Sequence, residues 1–431
     1  MAIGQQQDAE IRREMGVYDD PALQRYVSDI GTELARRSHR PTLPWTFTIV
    51  DSPAINAFAL PGGYVYITRG ILAYLDDESE LAGVLGHEIG HVTARHAAQA
   101  YTRQAEANFG LAMLGIFVPA AQPFTGLASG VASVLFLRNG REAEIEADRL
   151  GVEYGSGAGY DPSGVPRFLK TLARVDALSD RGVPNWLSTH PASDARVEKA
   201  APVAATFASK DATRVNRDEY LERINNLVVG DNPKDGIVRG NEFLHPLLRI
   251  GVTFPEGWEI TNAEEAVMAQ EPGTKHFMVL QEASSVGQAG ARVSASRSIA
   301  DVAVDMMRKA GYTAVDGTVQ RINGNEAYVG VYRGSAKDVG QVTMRAAHIA
   351  VGRQVYVVAG FAPDADFALT DREIGPAVQS FRQLSAHEAS AIRPNRLQFY
   401  TVKPGDSWQS IARSEEHTSE LQSLAYLVCR L

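Results

Sequence analysis

His87-Glu88-Ile89-Gly90-His91 constrains this chain more than any other feature. Two histidines four apart on a helix point their imidazoles the same way, about one turn apart, so both can ligate one Zn²⁺. Glu88 then faces the water held by that metal, where it can act as a general base. The flanking sequence predicts the helix. Asp77-Glu78-Ser79-Glu80 reads as a capping box, followed by Leu81, Val84, Leu85, Ile89 and Val92 at helical spacing. Gly83, Gly86 and Gly90 each cost about 1 kcal/mol relative to Ala in a helix interior. Their clustering predicts that another backbone, or a substrate strand, approaches closely.

A catalytic zinc takes three protein ligands and keeps one position for water. The candidate for the third is Glu144, within Arg141-Glu142-Ala143-Glu144-Ile145-Glu146-Ala147-Asp148, which opens a second predicted helix. Asp148 lies four residues later on the same face, where it can accept the N–H of a ligating histidine and fix its tautomer. Glu142 and Glu146 point elsewhere. The alternative for this stretch is a solvated acidic helix.

His190, in Ser188-Thr189-His190-Pro191, has three roles open to it. It can donate to the oxyanion, swing onto zinc as a fourth ligand that silences the site, or be an ordinary loop histidine. Arg196, six residues on, is expected to position Glu144 or Asp148 by a charge-assisted hydrogen bond. His96 falls five after His91, off the metal face, and is expected to pack the helix. Tyr64-Val65-Tyr66 is expected to be an edge strand that receives substrate main chain to main chain.

The length of 431 residues suggests two or three domains. A net charge of −9, without a basic stripe, argues against nucleic-acid binding. Cys429 is the only cysteine, so neither an intramolecular disulfide nor a cysteine-based zinc knuckle can form. Residues 107–137 carry no charge and are broken by Pro119 and Pro123. They read as two short helices that bury against the domain or rest on a membrane surface, each too short to span a bilayer. Met1-Ala2-Ile3-Gly4 runs at once into polar Gln5-Gln6-Gln7-Asp8, so no signal peptide is visible. Either the protein is cytoplasmic or this N-terminus lacks an export segment.

The H-E-x-x-H, a downstream E-x-E-A-D and the upstream Asn56-Ala57-Phe58-Ala59-Leu60-Pro61-Gly62-Gly63 together resemble the HtpX/BepA/LoiP family of zinc peptidases, which is related to the CAAX prenyl endopeptidases. The resemblance runs from about Gly4 to Lys199. It implies one zinc on His87, His91 and Glu144, with Glu88 as base, in the soluble periplasmic branch of the family. Further on, Phe254-Pro255-Glu256-Gly257-Trp258 and the strand–helix order resemble PsbP/Mog1-like domains. Tyr400-Thr401-Val402-Lys403-Pro404-Gly405-Asp406-Ser407-Trp408 resembles the opening of a LysM module, which implies peptidoglycan as a partner. Arg413 to Ser423 matches the translation of a common sequencing adapter, so 413–431 are expected to be read-through.

The expected architecture is therefore multidomain: a mainly α-helical gluzincin metallopeptidase domain with a small β-sheet (1–205), a linker helix and turn (206–235), an α+β accessory domain (236–385), a linker (386–398) and a truncated LysM start (399–412). The expected function is a zinc endopeptidase that hydrolyses peptide bonds in misfolded or unassembled cell-envelope proteins, met as unfolded or extended segments, with Glu88 activating the zinc-bound water. A chaperone-like envelope assembly scaffold with a latent zinc site is the second class that fits.

Overall fold

The computed structural model describes residues 2–99, 140–178, 190, 194–262, 266–283, 298–336 and 339–407. They fall into two compact units, Met1–Gly230 with Asn395–Leu431, and Asp231–Pro394. The uncharged stretch 107–137 and the chain from Trp408 on lie outside the described residues. So do the expectations placed there: the membrane-surface hairpin, the read-through, and the LysM opening beyond Ser407.

The first unit begins with α1 (Ala2–Glu14) and α2 (Pro21–Arg37). Asp20 ends the break between them: its carboxylate accepts from the Ala22 and Leu23 amides, and Pro21 supplies a preset first helical residue. Leu23, Val27, Ile30 and Leu34 make the buried face of α2. Three strands follow, β1 (Thr46–Val50), β2 (Ala57–Leu60) and β3 (Tyr64–Thr68), in the sheet order β1-β3-β2. Gly62 and Gly63, both at positive φ, turn β2 back into β3. The strand Tyr64-Val65-Tyr66 is thus central, parallel to β1 and antiparallel to β2. Its main-chain groups are paired on both sides, so it cannot receive a substrate strand. That expectation is corrected, because the turn folds β2 onto the flank that the sequence left open.

A short helix α3 (Arg69–Leu72) leads to α4 (Glu78–Thr93), which is buried from Glu78 to Val92. Asp77 caps it by accepting from the Glu80 amide, while Glu80 reaches past the cap to the Asp76 amide. Next come α5 (Arg141–Gly157), α6 (Gly164–Leu178), α7 (Asp194–Phe207) and α8 (Arg217–Ile224). The α4 glycines are explained by α5. A Cβ on Gly86 would stand 3.0 Å from the Gly151 Cα and carbonyl oxygen, and one on Gly90 would be 3.2 Å from the Ala147 Cα. The close neighbour is a second helix backbone, and that approach brings the start of α5 beside the histidines.

Of the segment expected to be a linker, residues 206–230 belong to this unit and 231–235 to the second. Tyr220, Ile224, Leu227 and Val228 join the core, and the Tyr220 hydroxyl donates to the Leu72 carbonyl. Buried Arg69 donates to Asp51 and to the carbonyls of Val228 and Gly230. The pair β4 (Val228–Val229) and β16 (Asn395–Arg396) returns the chain to this unit after the second one.

The second unit is α+β. Its sheet runs β11-β12-β13-β14-β10-β9-β8, from β8 (Glu259–Asn262), β9 (Ala266–Gln270), β10 (Phe277–Glu282), β11 (Thr313–Ile322), β12 (Asn325–Ala336), β13 (Gly340–Val351) and β14 (Gln354–Pro363), all antiparallel to their neighbours. Helix α9 (Ile299–Lys309) packs with Met344, Ala346 and Val357, while α10 (Phe367–Gln379) packs with Ala347, Ile349 and Val358. Alternate residues of β13 thus face different helices, one on each side of the sheet. A smaller sheet joins β5 (Ile237–Arg239), β6 (Glu242–His245), β7 (Ile250–Thr253) and β15 (Arg382–Gln383). Residues 386–391, read as linker, form the helix α11 (Ala386–Ala391).

Candidate metal centre

His87 and His91 stand on successive turns of α4, with their Nε2 atoms 2.9 Å apart. Glu144, in the first turn of α5, places one carboxylate oxygen 3.5 Å from His87 Nε2 and the other 3.4 Å from His91 Nε2. His190 brings its Nδ1 to 3.3 Å from His87 Nε2 and 3.1 Å from Glu144 Oε1. All four residues are buried, and their donor atoms lie within 4.8 Å of one another. Zinc bound at about 2.0–2.2 Å in a tetrahedron sets its ligand atoms roughly 3.3–3.5 Å apart, so the donor set and its spacing fit that ion. Two imidazole nitrogens aimed at each other and at a carboxylate are what a dication would hold together.

The ligands are themselves held. The His87 Nδ1–H donates to Asp148 Oδ1 at 2.9 Å, which leaves the Nε2 lone pair for a cation. Asp148 in turn accepts from Arg196 through Nε at 2.8 Å and Nη2 at 2.7 Å. Arg196 also reaches Glu144 Oε2 at 2.9 Å and donates to the His190 carbonyl at 3.1 Å. One fully buried guanidinium thus ties two carboxylates and the backbone of a fourth donor.

Each carboxylate and imidazole responds to this packing. Burial would raise the Asp148 carboxyl, but the Arg196 hydrogen bonds and charge outweigh it and hold the group below its usual range. Burial likewise opposes a charged Glu144, and His190 beside it keeps the carboxyl well below the usual value. Burial works against a charged His87, yet the bonds to Asp148 and Glu144 push it up to about 9. His91 goes the other way, well below the ordinary imidazole, through burial and the neighbouring His87.

Glu88 is buried in the same helix, with its Oε1 3.7 Å from His190 Nε2. His190 therefore stands between the metal-binding cluster and the expected base. Tyr64, Val65 and Tyr66 are not brought to the centre as an edge. In their place, the end of β2 and its turn (Ala59 to Gly62) line a cavity of about 200 Å³ that reaches His91.

His96 was expected only to pack the helix. Its ring does lie off the metal face, but its Nδ1 sits 2.8 Å from His91 Nδ1 and its Nε2 3.4 Å from Glu146 Oε2. With His91 Nε2 turned to the cluster, the His91 proton sits on Nδ1 and His96 accepts it; His96 then donates to Glu146. Nothing in helical spacing flags this partner, because α4 ends at Thr93 and Arg95, at φ 60°, turns the chain back.

Residues 21–203 match the model of peptidase family M48. The chain is 28% identical over 319 residues to the beta-barrel assembly-enhancing protease of Escherichia coli (strain K12), an overlap of 69% of this chain and 65% of that protein. It is 34% identical over 208 residues to the protein of that name from Yersinia pestis, covering 46% of this chain and 43% of the other. The mitochondrial metalloendopeptidase OMA1 of Arabidopsis thaliana is 34% identical over 193 residues, or 44% and 38% of the two chains. The chain thus spans less than two thirds of the length of these relatives. Among solved structures, the cyanobacterial PsbP from Synechocystis sp. PCC 6803 aligns with a TM-score of 0.26 and 9% identity over 34% of this chain and 95% of that one, too low to carry an argument.

Proposed function

From the premise that residues 21–203 are a peptidase family M48 domain, we propose that this protein is a zinc endopeptidase with His87, His91 and Glu144 as ligands and Glu88 as general base. The convergence of those three donors, backed by Asp148 and Arg196, is the observation that carries the reading. Zinc bound there would acidify a water toward a pKa near ~7 and polarise the scissile carbonyl. Glu88 takes the proton of the attacking water and returns it to the leaving amine. Asp148 keeps His87 in the ligating tautomer, and Arg196 holds Asp148 and Glu144 in register. Glu88→Gln should abolish cleavage of an unfolded protein such as reduced casein, while zinc content by atomic emission stays at one per chain. Persistent cleavage by that variant would overturn the assignment of the base.

The placement of His190 Nδ1 inside the donor cluster supports the silencing role among the three considered, since a fourth ligand there would take the position that water needs. His190→Ala should therefore raise peptidase activity. A fall would assign it to the oxyanion instead, and no change would leave it a loop histidine.

The substrate class in this reading is unfolded or extended polypeptide. The free edge of the first unit's sheet beside His91 belongs to β2, which has one strand neighbour among the described residues. The proposed setting is the cell envelope and the proposed role quality control of its proteins, a reading supported by the likeness to proteins named for β-barrel assembly. No helix among the described residues is long and apolar enough to cross a membrane.

A further inference from the structure

The cavity at His91 has a chemical character of its own. Its walls are apolar, from Leu43, Leu60 and Val92, and it carries two arginines, Arg40 and Arg95. Neither guanidinium meets a carboxylate among the described residues, whereas Arg196, Arg167 and Arg214 each hold one or more. Arg95 also keeps a left-handed backbone, φ 60°, just past the end of α4, a position where glycine would be the less costly residue. The volume of about 200 Å³ lies below the roughly 300–1,000 Å³ of small-molecule sites, so it suits one side chain or a chain end. Arg40 is half-buried and Arg95 exposed, so the two guanidiniums bring positive charge to the rim of an apolar wall, where a carboxylate can accept hydrogen bonds from them.

We propose that this cavity binds a carboxylate of the polypeptide substrate, either an Asp or Glu side chain close to the bond to be cut or the free carboxylate of a chain end. The proposal rests on the peptidase reading above and adds a selectivity to it. Extended main chain paired along β2 would place one residue at the cavity, and Arg40 and Arg95 would favour that residue being acidic.

Binding can be measured apart from turnover by fluorescence anisotropy on the zinc-loaded Glu88→Gln protein. The probes are unstructured, dye-labelled decapeptides with amidated ends, in which one Gln scanned through the sequence is exchanged for Glu, and the same Gln peptides with free C-terminal carboxylates. At least one charged peptide should bind about 3- to 5-fold more tightly than its neutral twin, as expected for a carboxylate paired with guanidiniums that are exposed or half-buried. Preference for a Glu position identifies a side chain, and preference for the free acid identifies a chain end. Arg40→Gln and Arg95→Gln should each bring the charged peptide down toward the affinity of the neutral one. Binding that does not separate charged from neutral peptides, or a preference that survives both arginine variants, overturns the assignment. Cleavage of the same peptides by the wild-type enzyme, read by mass spectrometry, tests the peptidase reading separately: it can succeed while the charge preference fails.

Discussion

Arg196→Met removes a buried cation and leaves its volume largely filled. The side chain is 0% exposed, as is that of Glu144, and that of Asp148 is 6% exposed. The variant therefore strands two buried carboxylates and loses three hydrogen bonds to Asp148 and the His190 carbonyl, as well as the contact with Glu144. Breaking a buried pair by deleting one partner costs about 3–5 kcal/mol. For a domain of this size each kcal/mol moves the melting temperature by about 2–4 °C, so EDTA-treated Arg196→Met should melt roughly 6–20 °C below wild type. Excess zinc should restore part of that, about 4 kcal/mol at 1,000 times Kd, because a dication compensates Glu144 but not Asp148. The pH dependence has a definite sign. Asp148 has a depressed folded-state pKa, so its contribution is present above the unfolded value of 3.8 and is lost as pH falls through the folded value. The unfolded chains titrate alike, so the gap between wild type and variant should be full at neutral pH. It should narrow as pH falls from the variant's Asp148 value, raised by burial once Arg196 is gone, toward the depressed wild-type value. Arg196→Lys, which keeps the charge but not the fork, should fall between. An EDTA-treated Arg196→Met that melts within about 2 °C of wild type would refute the view that this guanidinium neutralises the site.

Glu80, fully buried with Asp77 beside it, is pushed up to about 8 by burial and then by that charge; Arg167 is spent mainly on Asp77 at 2.7 Å and stands 3.4 Å from Glu80. The folded protein keeps a proton that the unfolded chain releases, so stability should fall by about 1.4 kcal/mol per pH unit from this group between its unfolded value and about 8. Glu80→Gln should flatten that slope in urea titrations, and parallel curves would count against it. His96→Ala should weaken zinc binding about 10–100-fold in chelator competition, by releasing the His91 ring, whereas unchanged affinity would reduce His96 to packing. Gly86→Ala puts a Cβ 3.0 Å from the Gly151 backbone, so it should cost about 1–3 kcal/mol and loosen zinc together, since α4 and α5 must part. A stability loss with zinc affinity intact would show that the helices part without moving Glu144.

The candidate metal-binding cluster was legible because helical spacing is a strict geometric filter. His87 and His91 must share a face, and Glu144 and Asp148 repeat the same four-residue step on their own helix. The glycines of α4 announced a close backbone without saying whose, since Gly86 and Gly151 meet although 64 residues of chain lie between them. Position within a sheet was not legible at all. Tyr64-Val65-Tyr66 alternates like an edge strand, yet the neighbour that covers it is chosen by the Gly62-Gly63 turn and by β1, not by its own side chains. In the second unit β11 is illegible for the opposite reason: as an end strand exposed on both faces along most of its length, it carries no period-two pattern. His96 shows the same limit at the site itself. Its distance from His91 along the chain breaks the helical rule because the helix has already ended, and the contact between their rings depends on a single left-handed residue, Arg95. That residue both turns His96 back onto His91 and lines the cavity proposed to hold a carboxylate. Arg95→Gly should therefore keep the turn and the His96 contact while removing the cation, so zinc affinity should hold as charge selectivity falls. Zinc affinity that drops with Arg95→Gly would tie the two roles to the side chain and not to the backbone.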